Sequence, residues 1–146
     1  MTVAELFALT ELPVCGPVAW DTLPCERRAG VYMVALVPGP EGECADTDVS
    51  NLAGEERKFW LNSQPVIYVG ETTRPLCVRV YEFYRHNYGQ KSPHRGGQAV
   101  LLLQCTRWVY WSPLDDPSCV AEIESKMIRA FKDQARGNRP FANRKG

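Results

Sequence analysis

The sequence predicts an α+β fold, in which a small three-stranded antiparallel sheet is flanked by helices. Two observations support this prediction. The two strand-like runs in the first half of the chain are close enough in sequence to pair antiparallel. The two clearest helical patterns lie before and after a third strand in the second half. With 146 residues and 45% hydrophobic composition, the chain fits one domain, residues 1–146, that buries a real core.

The first half of the chain is predicted to contain one helix and two strands. Residues 2–10 form the helix within an N-terminal extension, residues 1–29. Residues 31–37 form the first strand, because β-branched and large apolar residues fill the run. Residues 66–69 form the second strand, which is bounded by a proline and a glycine. Between the strands lies a long, mostly acidic insertion, residues 38–64.

The second half is predicted to contain two helices and the third strand. Threonines before the first helix can cap it, and an Asn-Tyr-Gly sequence after it is typical of a helix end. The segment 98–104 is ambiguous between helix and strand. In chain order, we predict a helix from Thr72 or Thr73 to about His86, a strand over 106–112 and a helix over 118–136.

The charged residues are unevenly distributed, although the net charge is zero. Residues 1–73 contain four basic and eleven acidic residues, whereas residues 74–146 contain thirteen basic and six acidic ones. This asymmetry fits a polyanion-facing half, and it fits equally two solvated surfaces that attract one another. No apolar run reaches the roughly 20 residues of a membrane span. Residues 1–12 contain no basic residue, unlike a secretory signal, so we expect a soluble, cytoplasmic protein without a membrane partner.

Six cysteines and two histidines raise the question of a disulfide framework or a zinc site. No two cysteines have the Cys-x-x-Cys spacing, and neither histidine is paired with a cysteine at metal-ligand spacing. In a cytoplasmic protein, reduced thiols are the expected state. We therefore interpret the cysteines as mostly structural.

Two charged residues fall on the apolar faces of the predicted helices. Glu124 lies within or beside a stripe of apolar residues spaced three and four apart on the last helix. Arg79 lies at the apolar face of the preceding helix. A carboxylate in such a place is costly unless it is paired or bound to a cation. The pattern leaves open a buried salt bridge, with Arg79 as a partner, and a metal site. For Arg79 it also leaves open a side chain that extends past the core to solvent.

Five short motifs occur in a fixed order, each on the expected kind of element. They are Gly30-Val31-Tyr32 at the start of the first strand, Tyr68-Val69-Gly70 at the end of the second, Leu76-Cys77-Val78-Arg79-Val80, Ala121-Glu122-Ile123-Glu124 and Pro140-Phe141-Ala142-Asn143. Together they resemble the GIY-YIG family of metal-dependent nucleases, over residues from about Gly30 to Asn143. Members of that family have a small antiparallel sheet flanked by helices, which agrees with the fold predicted from the residues.

The resemblance implies a role for each motif residue. Glu124 would bind one divalent cation, Mg²⁺ or Mn²⁺, and Arg79 would contact the scissile phosphate. Tyr32 would lie near the attacking water, and Tyr68 would help to hold that water or the phosphate. Asn143 would hold the geometry of the site or a phosphate oxygen. His94 matches a histidine that assists proton transfer in some restriction-type relatives, and an exposed loop histidine without a role is the alternative.

The predicted function is therefore a divalent-metal-dependent endonuclease that hydrolyses DNA, in restriction or defence. The alternative is a silent module of the same fold that binds nucleic acid or protein, and RNA is an alternative substrate. The insertion 38–64 could clamp DNA through Arg57, Lys58 and Trp60, bind a protein partner or a second copy of the chain, or shield the basic half. The predicted nucleic-acid contacts are Gly70, Arg74, Lys91, Arg95, Arg139 and Arg144.

Overall fold

The strands form one four-stranded antiparallel sheet in a computed structural model that describes residues 1–44 and 47–144. In chain order they are β1 (Cys15–Ala19), β2 (Gly30–Ala35), β3 (Val66–Thr72) and β4 (Trp108–Pro113). Their order across the sheet is β1-β4-β2-β3. The predicted α+β class is confirmed, whereas the three-stranded sheet is wrong.

The additional strand is β1, at one edge of the sheet. It has five residues, and a register shift interrupts its pairing with β4 between Cys15 and Val18. Pro17 interrupts the sequence pattern, and a proline is tolerated at a sheet edge because its missing N–H is not needed there. The short, interrupted run explains why its sequence did not predict a strand.

Among the residues that the structure describes, four α-helices accompany the sheet. They are α1 (Val3–Leu9), α2 (Gly54–Arg57), α3 (Leu76–Arg85) and α4 (Val120–Gln134), with 3-10 turns at Arg95–Leu102 and Pro117–Cys119. Thr2 caps α1, and Glu5 completes the reciprocal capping box. The helix α3 begins later than predicted because β3 continues to Thr72, and Pro75 then occupies the N-cap position. The ambiguous segment 98–104 belongs mostly to the first 3-10 turn.

The helices cover the two faces of the sheet. On one face, α1 and α4 pack their apolar side chains against alternate residues of β2, β3 and β4, a cluster that includes Phe7, Met33, Val69, Tyr110, Met127 and Phe131. On the other face, α3 and the 3-10 turn Arg95–Leu102 enclose Tyr32, Tyr68, Leu76, Phe83, Val100 and Trp111. Tyr32 and Tyr68 therefore both point toward α3. No helix in the described part of the chain is long and apolar enough to cross a membrane.

The insertion 38–64 packs against the C-terminal segment, which we define as residues 140–144. The rings of Trp60 and Phe141 meet edge to face, with their centroids 5.0 Å apart. The guanidinium of Arg144 lies over the ring of Phe59 and forms an ion pair with Glu56. Residues 56–60 of the insertion are thus folded onto the C-terminal segment at the β3 edge of the sheet.

Candidate active site

Tyr32 and Gly70 face each other across the middle of the β2–β3 pair. A Cβ atom added to Gly70 would lie 2.6 Å from Cζ and 2.7 Å from the hydroxyl oxygen of Tyr32, and 2.8 Å from Cε2 of Tyr68. The absence of a side chain at Gly70 therefore makes room for both tyrosine rings. Gly70 was predicted at the strand end, but β3 runs two residues further, to Thr72. Gly70 is buried under the tyrosines.

The His94 side chain contacts the Tyr32 hydroxyl. Its Nε2 atom lies 2.5 Å from the hydroxyl oxygen, and the imidazole is stacked on Phe83 at a centroid distance of 3.8 Å. His94 is fully buried, with 0% of its surface exposed. The alternative of an exposed loop histidine is therefore wrong: the loop before the first 3-10 turn folds inward between α3 and β2.

Burial, and then the positive charge of Arg79, lower the pKa of the His94 imidazole to about 3. His94 is therefore uncharged at neutral pH. The pKa of Tyr32 is raised well above its usual value by burial and the proximity of Tyr68, while Arg79 acts in the opposite direction. At neutral pH the contact thus joins a neutral imidazole to a protonated phenol.

Arg79 extends from α3 to the loop before His94. Its Nη1 donates to the carbonyl oxygen of Pro93 at 2.8 Å and to Glu82 Oε1 at 3.2 Å. The pairing of Arg79 is with Glu82, so the suggested salt bridge to Glu124 is wrong. The positive charge of Arg79 also acts to lower the pKa of both Tyr32 and Tyr68.

Glu124 is half-buried on α4, and its carboxylate forms no hydrogen bond or ion pair with another described residue. Burial, and then the negative charge of Glu71, raise the pKa of its carboxyl to about 7. In turn, burial and then the charge of Glu124 raise the pKa of Tyr68. Glu124 and Tyr68 therefore lie close together, although α4 and α3 cover opposite faces of the sheet.

A cleft of about 480 Å³ opens at the β3 edge where these residues meet. Its lining includes Tyr68, Glu124 and Asn143, together with the charged side chains Glu56, Arg95 and Arg144. Tyr32, His94 and Arg79 do not line this cleft and lie toward α3. Tyr68 connects the two groups, because the charges of both Arg79 and Glu124 affect the pKa of its hydroxyl.

The residues at Glu124 fit one divalent cation. The Glu124 carboxylate is partly desolvated, lies beside an open cleft and has no ionic partner in the described part of the chain. A cation would stabilise such a carboxylate. Mg²⁺ is commonly held by one or two carboxylates while it keeps several waters and contacts substrate phosphates. Among residues 1–44 and 47–144, no three His, Cys, Asp or Glu side chains form a metal-binding group. The chemistry therefore matches a single-carboxylate site better than an all-protein cage.

Asn143 binds the backbone of β3. Its Oδ1 accepts from the Val69 amide at 2.9 Å, and its Nδ2 donates to the Val69 carbonyl at 2.8 Å. The amide of Ala142 also donates to the Ile67 carbonyl at 2.8 Å. Because β3 pairs with β2 alone, these bonds satisfy edge groups that have no strand partner. Asn143 thus fastens the C-terminal segment to the edge of β3 and also lines the cleft.

Asn143→Ala is expected to destabilise the fold by about 2–3 kcal/mol, because it leaves both polar groups of Val69 without their partner at a buried edge. Chemical denaturation followed by tryptophan fluorescence measures the change. The control is Asn138→Ala, which removes a single exposed bond to Ala135 and should cost less than about 1 kcal/mol. Equal losses in the two variants would contradict a structural role for Asn143.

The predicted nucleic-acid contacts are only partly brought together. Arg95 and Arg144 line the cleft, whereas Arg74 is paired with Glu82 through two hydrogen bonds of 2.9 and 2.6 Å. The bond from Arg74 is the main reason that the pKa of Glu82 is lowered to about 2. Lys91 and Arg139 are exposed and line no part of the cleft.

The structure also identifies residues that the sequence analysis missed. Phe83 stacks on His94, His86 accepts the backbone amide of His94 at 2.9 Å, and Gln98 lies 3.2 Å from His86. Glu56 of the insertion forms a wall of the cleft. Phe83 was indicated by its place on the apolar side of its helix, whereas the other three depend on tertiary contacts without a local pattern.

Comparison of the chain with protein-family models, with curated proteins and with solved structures found no match in any of the three.

Proposed function

We propose that this protein is a divalent-metal-dependent endonuclease that hydrolyses DNA, as its resemblance to the GIY-YIG family implies. One observation carries the proposal. The motif residues Tyr68, Glu124 and Asn143 line one cleft of about 480 Å³, and the ring of Tyr32 lies against that of Tyr68 at a centroid distance of 6.0 Å. A carboxylate and a phenol that face one open cleft, backed by a second phenol, are suited to the hydrolysis of a phosphodiester.

The charged groups have complementary tasks in this proposal. Glu124 would hold Mg²⁺ or Mn²⁺, which, when bound, polarises the phosphate and stabilises the leaving oxygen. Arg79 offsets the negative charge that develops on the phosphate in the transition state. Its contacts with Pro93 and Glu82 hold the guanidinium in place before substrate arrives.

The two tyrosines act as neutral groups. Burial raises the pKa of both hydroxyls, so both stay protonated at neutral pH. Tyr68, which lines the cleft, would hold the attacking water or a phosphate oxygen. Tyr32 is buried outside the cleft, so it would act on that water through Tyr68. His94, uncharged and 2.5 Å from the Tyr32 oxygen, fixes the direction of that hydroxyl.

The test is a cleavage assay on supercoiled plasmid, single-stranded DNA and RNA of matched sequence, with Mg²⁺ or Mn²⁺ and with EDTA. Metal-dependent cutting of DNA supports the proposal, and discrete products would indicate a restriction-type enzyme. Cutting of RNA alone would change the substrate. DNA binding without any cutting would favour the second candidate, a silent binding module.

The second candidate draws on the packing of the insertion at the cleft. Glu56 accepts a hydrogen bond from the Tyr88 hydroxyl at 2.7 Å and forms an ion pair with Arg144. The Glu56 carboxylate therefore competes with a nucleic-acid phosphate for the guanidinium of Arg144. This arrangement favours the shielding role among the three roles proposed for the insertion. The insertion would then regulate how tightly the basic half binds nucleic acid.

Glu56→Gln is expected to tighten DNA binding by about threefold to fivefold, because it removes a repulsive charge and frees Arg144 for phosphate, an effect of about 1 kcal/mol for a partly exposed pair. The salt dependence of the affinity should steepen by roughly one phosphate contact. Fluorescence anisotropy at several salt concentrations measures both quantities. Glu55→Gln, the same change on the exposed neighbour, is the control. An unchanged affinity in Glu56→Gln would contradict the shielding role.

A further inference from the structure

His86 and His94 are joined by a buried hydrogen bond that the proposed chemistry does not use directly. The backbone amide of His94 donates to Nδ1 of His86 at 2.9 Å. His86 is 4% exposed and His94 is 0% exposed. Both ring nitrogens of His86 have hydrogen-bond partners, whereas Nδ1 of His94 has none among the described residues.

The hydrogen-bond directions fix the protonation of His86. A backbone amide can only donate, so Nδ1 of His86 must carry a lone pair, and the neutral ring has its proton on Nε2. That Nε2–H then donates to Gln98 Oε1, at 3.2 Å. The same oxygen accepts from the Gly89 amide at 2.9 Å. Gln98 and His86 therefore form a directed chain of bonds that ends on the backbone of His94.

His94 depends on this chain because no regular element holds it. It lies between the end of α3 at Arg85 and the 3-10 turn that begins at Arg95. Its ring is fixed by the stack on Phe83 and the contact with Tyr32. The peptide between Pro93 and His94 is held on its amide by His86 and on its carbonyl by Arg79. A shift of the His94 backbone would carry the imidazole away from the Tyr32 hydroxyl.

We propose that His86 is a positioning residue: it sets the place of His94 and, through it, the orientation of the Tyr32 hydroxyl beside Tyr68. This inference rests on the proposed nuclease function for its catalytic consequence. Its geometric part, the dependence of the His94–Tyr32 contact on His86, does not rest on that function. The two parts can therefore be tested separately.

Two variants separate positioning from filling of space. His86→Asn keeps an acceptor near the place of Nδ1, because an asparagine Oδ1 occupies a similar position on the side chain. His86→Leu keeps comparable bulk but has no acceptor. Proton and nitrogen NMR spectra report the backbone amide of His94 and the imidazole nitrogens, and thermal melts report the stability of each variant.

We expect the His94 amide proton resonance to move upfield in His86→Leu and to stay near its wild-type position in His86→Asn. The imidazole nitrogen shifts of His94 should change only in His86→Leu. In the cleavage assay, His86→Leu should lower kcat by about tenfold to a hundredfold with KM for DNA changed by less than about twofold, the pattern of a group that acts in the transition state. His86→Asn should recover most of kcat.

The inference is overturned if a folded His86→Leu variant keeps the wild-type His94 resonances and kcat. It is also overturned if His86→Asn and His86→Leu lose activity and stability to the same extent, since that result indicates a packing role. If the wild-type protein cuts no nucleic acid, the proposed function fails, and the NMR comparison still decides the positioning of His94.

Discussion

Glu124→Gln is expected to lower metal-dependent cleavage by about a hundredfold to a thousandfold and to leave the fold intact. The substitution keeps the size of the side chain but removes the charge that would hold the cation, and a catalytic cation contributes several kcal/mol to transition-state stabilisation. Initial rates on plasmid DNA at saturating Mg²⁺ measure the change. A thermal shift on addition of Mn²⁺ should be present in the wild type and absent in the variant.

The same substitution is expected to change the dependence of stability on pH. The folded pKa of Glu124 is raised from 4.5 to about 7, so the folded state binds the proton more tightly than the unfolded state does. The contribution of Glu124 to stability is therefore fully present below about pH 4.5 and is lost as the pH rises through about 7. Without metal at pH 8, Glu124→Gln should be more stable than the wild type by on the order of 1 kcal/mol, after allowance for solvent screening of this half-exposed carboxyl.

Glu122→Gln is the matched control, since it makes the same chemical change on the exposed face of the same helix. It should affect neither cleavage nor the metal-induced thermal shift. If Glu124→Gln cuts DNA at the wild-type rate, the cation is held elsewhere and the proposed mechanism is wrong. If both variants lose activity equally, the loss reflects the overall charge of α4.

Gly70→Ala is expected to destabilise the protein by about 1–3 kcal/mol, the usual cost of an added methyl group in a packed core. The new Cβ would lie under 3 Å from ring atoms of both Tyr32 and Tyr68, so both rings must move. The displacement separates Tyr32 from His94 and should lower kcat more than KM. Denaturant unfolding and steady-state cleavage measure the two effects.

Gly54→Ala serves as the control, because nothing lies within 4 Å of a Cβ atom at that position of α2. It should leave unfolding and cleavage close to those of the wild type. A Gly70→Ala protein with unchanged stability would show that the tyrosine rings are free to adjust. Cleavage should then be retained as well. Together these results would contradict the conclusion that the absence of a side chain at Gly70 makes room for the two tyrosines.

The periodic parts of the sequence predicted the fold well. The apolar spacing of α4 and the β-branched run of β2 are local patterns, and both elements lie where these patterns indicated. The placement of Glu124 beside the buried stripe also followed from spacing alone. The strand β1 could not be predicted in this way, because its pairing with β4 joins residues 89 to 96 positions apart in the chain and no local preference encodes it.

The environment of His94 could not be predicted either. A sequence of Ser-Pro-His-Arg-Gly-Gly resembles an exposed loop, and only the tertiary contacts with Phe83, His86 and Tyr32 make it buried. The same applies to Glu56, which reaches the cleft because the insertion folds onto the C-terminal segment. Motif order indicated which residues belong together, whereas the partners of those residues depend on contacts between distant segments.

The bonds between Asn143 and Val69 span 74 positions of the chain, and the ion pair between Arg144 and Glu56 spans 88. Closing such long loops is costly in entropy, and the β1–β4 pairing closes loops of similar length, so we expect these contacts and the sheet to form together. The walls of the cleft should consequently show hydrogen-exchange protection that is lost together with the whole fold or just before it. Under the proposed nuclease function, a partly folded chain would have no complete site with which to cut DNA.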